Sequence, residues 1–135
     1  EIPLSLMVKK ESAASLARGA CSLALPIEVD ANHRLVLSDA KLVGRVNLAK
    51  GSSSIVNVEI FKAGEKGISQ VASADAKEKR LRDGFVLEQS GEIFALACGE
   101  SAILRVNSSG ILKGKARATT SLRGLEMGLR LEPCQ

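Results

Sequence analysis

Aromatic side chains are what this sequence has least of. Its 135 residues include no tryptophan and no tyrosine, and phenylalanine occurs only at Phe61, Phe85 and Phe94. Sugar-binding surfaces usually stack rings on tryptophan or tyrosine, and single-stranded nucleic acid is held by bases stacked on aromatics. Neither platform can be assembled here, so a neutral sugar is disfavoured as ligand and no nucleic-acid partner is expected. Histidine is nearly absent too. His33 is alone, so any histidine-dependent serine or cysteine mechanism would have to use it. It lies in Asp30-Ala31-Asn32-His33, a turn-like stretch where a solvated polar residue is the simpler expectation. No C-x-x-C or H-x-x-x-H spacing turns the cysteines and histidine into a zinc pattern. Phosphate loops, dinucleotide fingerprints and calcium loops are missing as well. No cofactor and no metal are therefore expected, and the chain reads as a non-enzyme.

Long apolar runs are also lacking: none approaches the ~20 residues that span a bilayer as a helix, so no transmembrane segment is expected. The chain starts at Glu1 rather than Met, which leads us to expect that an upstream segment, such as a signal peptide, has been removed. Carboxylate pairs such as Asp75 with Glu78, or Glu88 with Glu92, could in principle serve glycoside hydrolysis. Without aromatic subsites to hold a sugar, surface charge is the better reading.

What is present is an aliphatic, strand-forming pattern. Leu23, Leu25, Ile27 and Val29 alternate with other residues, as do Val56, Val58 and Ile60, and Leu125, Met127, Leu129 and Leu131. Side chains alternate across a strand, so such runs are half-buried strands. About eight of them with turn signals between predict one domain over residues 1–135: an all-β, antiparallel β-sandwich. An opening strand is expected at residues 1–8, and Gly44 is expected to mark a bulge or bend. Residues 9–20 and 73–84, rich in Lys, Ser and Ala, are expected to be loop or short-helix excursions. Ser90-Gly91 is expected to turn a tight hairpin.

Cysteines at strand ends predict a disulfide staple and an oxidising compartment, either extracellular or periplasmic. If residues 101–112 pair with 122–133 about a turn centred on Ala116, Cys98 and Cys134 face each other and can bridge. The competing pairing joins Cys21 to one of them across the sandwich. Three is an odd count, so one thiol is left over, and Cys21 is expected to be free or paired upstream.

Several of these positions resemble a family of small secreted domains of unknown function found in fungi and bacteria. They are Arg18-Gly19-Ala20-Cys21, Leu48-Ala49-Lys50-Gly51, Val58 to Gly64, Ala97-Cys98-Gly99-Glu100, Leu104 to Ser109 and Pro133-Cys134. The resemblance runs from residue 18 to 134 and implies a fold and export, not an activity. The family's further cysteine near the N-terminus would lie ahead of Glu1 and partner Cys21.

The net charge of +4 is mild, but the cations are clustered. Lys77, Lys79, Arg80 and Arg82 make one group, and Lys113, Lys115 and Arg117 a second with no acidic neighbour in its turn. The expected function is that of a secreted or cell-envelope binding domain without catalysis. It would contact a protein or an anionic envelope polymer through loops 62–84 and 113–117. Two alternatives are a structural subunit of a surface assembly joined by strand addition, and a protein inhibitor of another enzyme. Asn107-Ser108-Ser109 matches a glycosylation sequon, inside a predicted strand.

Overall fold

The computed structural model describes residues 2–134 and contains eight strands and no helix among them. They are β1 (Ile2–Lys10), β2 (Leu16–Glu28), β3 (His33–Leu48), β4 (Ser53–Lys62), β5 (Ile68–Asp75), β6 (Leu81–Leu96), β7 (Ser101–Lys113) and β8 (Ala118–Pro133). Every pairing is antiparallel. One sheet has the order β1-β8-β3-β6 and the other β2-β7-β4-β5. Only the β4–β5 link joins neighbours in one sheet; every other connection crosses to the opposite sheet. Eight strands wound this way form a jelly roll.

Period-two burial drives the arrangement. Along β3, Ala40, Leu42, Val46 and Leu48 are buried while Lys41, Val43 and Arg45 are exposed; β7 buries Leu104, Val106 and Leu112 in the same rhythm. The inward faces meet in one aliphatic core that includes Leu48, Leu96, Val106, Leu122 and Leu125. The scarcity of aromatics is accommodated by close approach of the sheets. Val8 of β1 lies where a Cβ on Gly19 would be 2.8 Å away and one on Gly110 3.1 Å away, so two glycines open the space that one valine fills. At Gly44, a Cβ would strike the Phe85 ring.

Three long strands kink together. Register shifts at Ser38 and Asp39 in β3 put Asp39 at φ 55°, and the Asp39 carboxylate accepts a bond from the Gly91 amide at 2.8 Å. Gly128 of β8 passes beside Ser38 on the other side, where a Cβ would come within 2.9 Å of Ser38 Oγ. Such bulges bend a strand while preserving its place in the sheet.

Several expectations are corrected by these pairings. Residues 9–20 hold no helix: Lys9 and Lys10 end β1, only 11–15 form a turn, and Leu16–Ala20 already pair with Ser109–Lys113. Residues 73–84 reduce to a connection at 76–80 between β5 and β6, because edge-strand pairing overrides the helix propensity of Ala and Lys. Ser90-Gly91 is a bulge inside a continuous β6, not a hairpin turn. In β3 the shift shared with both neighbours is at Ser38 and Asp39; Gly44, opposite Phe85 and Leu122, is regular against β6 but follows directly on a second shift against β8 at Leu42/Val43, so a bulge does lie beside it. The opening strand covers Ile2–Lys10, and Glu1 lies outside the described residues.

The disulfide is Cys98–Cys134, with Cα atoms 6.4 Å apart, and Cys21 is free and half-buried within β2. The geometry behind it differs from a hairpin, since β7 and β8 belong to different sheets. Instead β6 and β8 flank β3, with Leu96 and Leu131 both opposite Leu35. The cysteines follow those two strands and meet beside the turn that starts β3. There the Gly99 amide donates to the Asp30 carbonyl at 3.0 Å, and the Cys134 amide donates to the Asn32 carbonyl at 2.8 Å.

Candidate functional site

Strand alternation sends the β1–β2, β3–β4, β5–β6 and β7–β8 connections to one end of the sandwich and the other three to the opposite end. At the first end the loops are sewn together by backbone bonds. The Gly51 amide donates to the Ala76 carbonyl at 2.7 Å, Ala76 to Ser52 at 2.9 Å, Ala49 to Arg117 at 3.0 Å, and Gly114 to Ser15 at 3.1 Å. Lys10 anchors them from below. It is 2% exposed, and its ammonium donates to the Ala14 carbonyl at 3.1 Å and to the Ala116 carbonyl.

This stitching unites the two basic clusters, which are far apart in sequence. Loops 11–15, 49–52, 76–80 and 114–117 carry Lys50, Lys77, Lys79, Arg80, Lys115 and Arg117 against Glu11 and Glu78. Lys113 ends β7 at the same rim. Among these charges one ion pair forms, Arg117 with Glu11 at 3.6 Å, between exposed groups. Such a pair is weak, and the remaining cations are held close together by the loop scaffold.

The basic surface continues onto the outer face of the β1-β8-β3-β6 sheet. Thr119, Asn47 and Arg82 lie in one cross-strand row, and Ser121, Arg45 and Gly84 in the next. Together with Val46 and the Asp83 carboxylate they line an open groove of about 570 Å³, and Arg80 reaches over to donate from Nε to Asn47 Oδ1 at 3.2 Å. Arg45, Asn47, Thr119 and Ser121 were not singled out from sequence. Their signal is only visible once β8 is placed beside β3, because Thr119 and Arg45 are remote along the chain.

The segment 62–84 does not act as one surface. Its turn at 63–67 lies at the opposite end, and β5 runs between. That end is acidic and internally paired. Lys62 bonds Glu100 at 2.8 Å and Glu65 at 3.3 Å; the Glu100 contact foremost holds the lysine above its ordinary pKa. In return the ammonium, with the Ala97 amide, holds Glu100 below the usual carboxylate range.

His33 is also at this end. Its Nδ1 lies 2.9 Å from Asp30 Oδ1, and that bond, with the Asn32 amide, holds Asp30 below the usual range. Among the described residues no serine or cysteine side chain bonds to His33, and no group of three or more His, Cys, Asp or Glu could hold a metal. Glu88 stands opposite Lys41 and Glu92 opposite Ser38, on either side of the bulge. Asn107 points from the middle of β7 to the outer face of its sheet, between Ser22 and Glu59.

No helix is long and apolar enough to cross a membrane among the described residues. The disulfide fits a non-reducing environment. No curated protein matches the chain. Weak likenesses to solved structures include three of one virus. One is the infectious bursal disease virus VP2 subviral particle, with 11% identity over 96% of this chain and 42% of that one, at a TM-score of 0.25. The others are the Gx and Gt strains of that virus, each 12% identical, with TM-scores of 0.25 and 0.24. The chain thus spans about two fifths of the length of those chains, and likeness at this level carries no argument. A family model does match: over residues 4–129 the chain belongs to the family described as domain of unknown function DUF4360.

Proposed function

For this member of a family without a stated activity, we propose a non-catalytic binding domain of the extracellular or cell-envelope compartment that holds an anionic polymer at its basic end. The observation that carries the reading is the convergence of Lys50, Lys77, Lys79, Arg80, Lys115 and Arg117 on three loops fastened to one another. Dense cations on a rigid scaffold attract a polyanion without needing aromatic platforms, and an open groove with Arg45 and Arg82 extends the track. Arginine forks suit phosphate and carboxylate groups. An acidic protein face would exploit the same charges. Export is supported by the disulfide and by the resemblance to small secreted domains.

The test is retention on immobilised polyphosphate and polygalacturonate, with neutral dextran as control, eluted by salt. Lys77→Glu/Lys79→Glu/Lys115→Glu should lose most retention while remaining folded. Wild-type protein that passes through all three columns, or a triple variant that is still retained, would sink the reading.

A second reading, assembly by strand addition, is favoured by one observation. β1 pairs with β8 only from Ala118 to Leu125, and beyond it Leu129 and Leu131 are 66% and 60% exposed. Sheet edges of this kind accept a further strand. Sedimentation that depends on concentration, and is abolished by Leu129→Lys, would support it; a strict monomer would oppose it.

A further inference from the structure

The two sheets separate along their β5 and β6 edges, and there they leave a cleft of about 250 Å³. Its shape follows from the inward residues of β5, which shrink from Ile68 and Gln70 to Ala72 and Ala74. At the Gln70 end the seam is latched: the amide donates to the Glu88 carbonyl and lies 3.2 Å from Gln89 Oε1. At the alanine end nothing fills the gap between Ala72 and Ala74 on one side and Leu81 and Phe85 on the other.

Two polar groups face this apolar slot. Ser54 lines it, is 2% exposed, and its hydroxyl is the one buried side-chain polar atom without a hydrogen-bond partner among the described residues. A buried hydroxyl left unpaired is costly, and native structures rarely tolerate one without a purpose or an occupant. Asp83 stands at the rim, opposite Val46 and therefore on the inward face of β6. One of its oxygens accepts the Gly84 amide, and among the described residues it has no cationic partner although Arg82 is adjacent in sequence, because Arg82 points to the other face.

We propose that this cleft binds a small hydroxylated amine with an apolar body. The body lies between the alanines and Phe85, the ligand hydroxyl pairs with Ser54 Oγ, and the protonated amine pairs with the Asp83 carboxylate. The slot is too small for a polymer chain, and its acidic rim is opposite in sign to the basic loops. The slot adjoins the groove on the outer face, with which it shares Val46, Asp83 and Gly84, but it takes a cation where the basic loops take an anion, so the proposal does not rest on the polyanion reading.

Tyramine, which places a hydroxyl and an ammonium at opposite ends of an aromatic ring, is the probe. Binding is read by chemical-shift perturbation in protein NMR, with phenethylamine (no hydroxyl) and 3-(4-hydroxyphenyl)propionate (a carboxylate in place of the amine) as comparisons. Tyramine should saturate in the millimolar range or below, shifting Ser54, Ala72, Ala74 and Phe85. Phenethylamine should bind about tenfold more weakly, the worth of one hydrogen bond. Ser54→Ala should bring tyramine down to the phenethylamine level, and Asp83→Asn should weaken both amines about tenfold. Ala72→Leu, which fills the slot with apolar volume, should abolish binding, and Ala74→Leu repeats that test should the first variant fold poorly. Absence of saturable shifts in wild-type protein would overturn the proposal. So would equal binding by the propionate, or tyramine binding indifferent to Asp83→Asn; the last would leave Asp83 only as an inward charge that protects a sheet edge.

Discussion

Removal of the Cys98–Cys134 bridge is the perturbation whose size follows most directly from the fold. The bridge closes a loop of 36 residues and ties the ends of β6 and β8 around the start of β3. A cross-link of that span withdraws about 13 cal/mol/K from the unfolded chain, or ~3.8 kcal/mol at 25 °C, on the loop-entropy account. A domain of this length has a total stability of ~7–20 kcal/mol, so the bridge supplies a sizeable fraction. With an unfolding entropy of about 0.28 kcal/mol/K for the chain, the loss corresponds to ~13 °C in Tm. The assay is urea denaturation of wild type and Cys98→Ser/Cys134→Ser, followed by far-ultraviolet circular dichroism, with reduced wild type as a second measure of the same loss. Hydrogen exchange locates it: the Gly99 and Cys134 amides, which donate to the Asp30 and Asn32 carbonyls, should lose protection before the core of β3. A loss below ~1 kcal/mol would refute the loop-entropy reasoning, as would protection lost evenly along β3.

Two further perturbations test the packing and the charges. Gly44→Ala places a methyl against the Phe85 ring, with Cε2 at 2.6 Å and the Ser121 carbonyl at 2.7 Å, so it should cost ~1–3 kcal/mol by overpacking. Phe85→Leu should recover only part of that loss, since the Ser121 backbone stays in place; full recovery, read from urea midpoints, would show the ring to be the sole obstacle. On the acid side, Asp30 and Glu100 are held below their ordinary range by His33 and Lys62. Their stabilisation is present above the unfolded values of about 3.9 and 4.3 and is lost as pH falls through the lower folded values. Lys62, held above its ordinary value by Glu100 and Glu65, contributes fully below about 10.4 and loses that contribution as pH rises through its folded value. Asp30→Asn should flatten the acid limb of the stability profile, and 0.5 M salt should shrink all three effects because the pairs are at the surface. An acid limb unchanged by Asp30→Asn would remove Asp30 from the account.

The sequence made the sandwich and its aliphatic core legible, because Val56-Val58-Ile60 and Leu104-Val106 carry the period-two signal undiluted. It hid β2 where β1 crosses it. Gly19 must lack a side chain to admit Val8, and the run Leu16-Ala17-Arg18-Gly19-Ala20 therefore looks like anything but a strand. It hid the continuity of β6 for a related reason: Ser90-Gly91 is a turn signal when read alone, and only the Asp39 carboxylate on the neighbouring strand makes it a bulge. The bridge Cys98–Cys134 was legible from strand ends, but through the wrong pairing; the real neighbour of both strands is β3. Of the site, the cations were legible individually. Their convergence was not, since it depends on which connections share an end.

That parity yields the sharpest test of the proposed surface. In a chain that alternates between two sheets, every second connection returns to the same end, so 76–80 meets 114–117 while 63–67 faces away. Glu78→Lys and Glu65→Lys each raise the net charge of +4 by two, and differ only in the end they occupy. Glu65→Lys gives up a 3.3 Å contact, but Lys62 keeps Glu100 at 2.8 Å, so the far end remains paired. If local density on the stitched loops holds the polyanion, Glu78→Lys should require distinctly more salt for elution and Glu65→Lys should elute with wild type. Screening over about 10 Å at 0.1 M salt keeps the far charge from assisting. Equal shifts for the two variants would mean that net charge alone governs retention, and the basic end would then have no standing as a site.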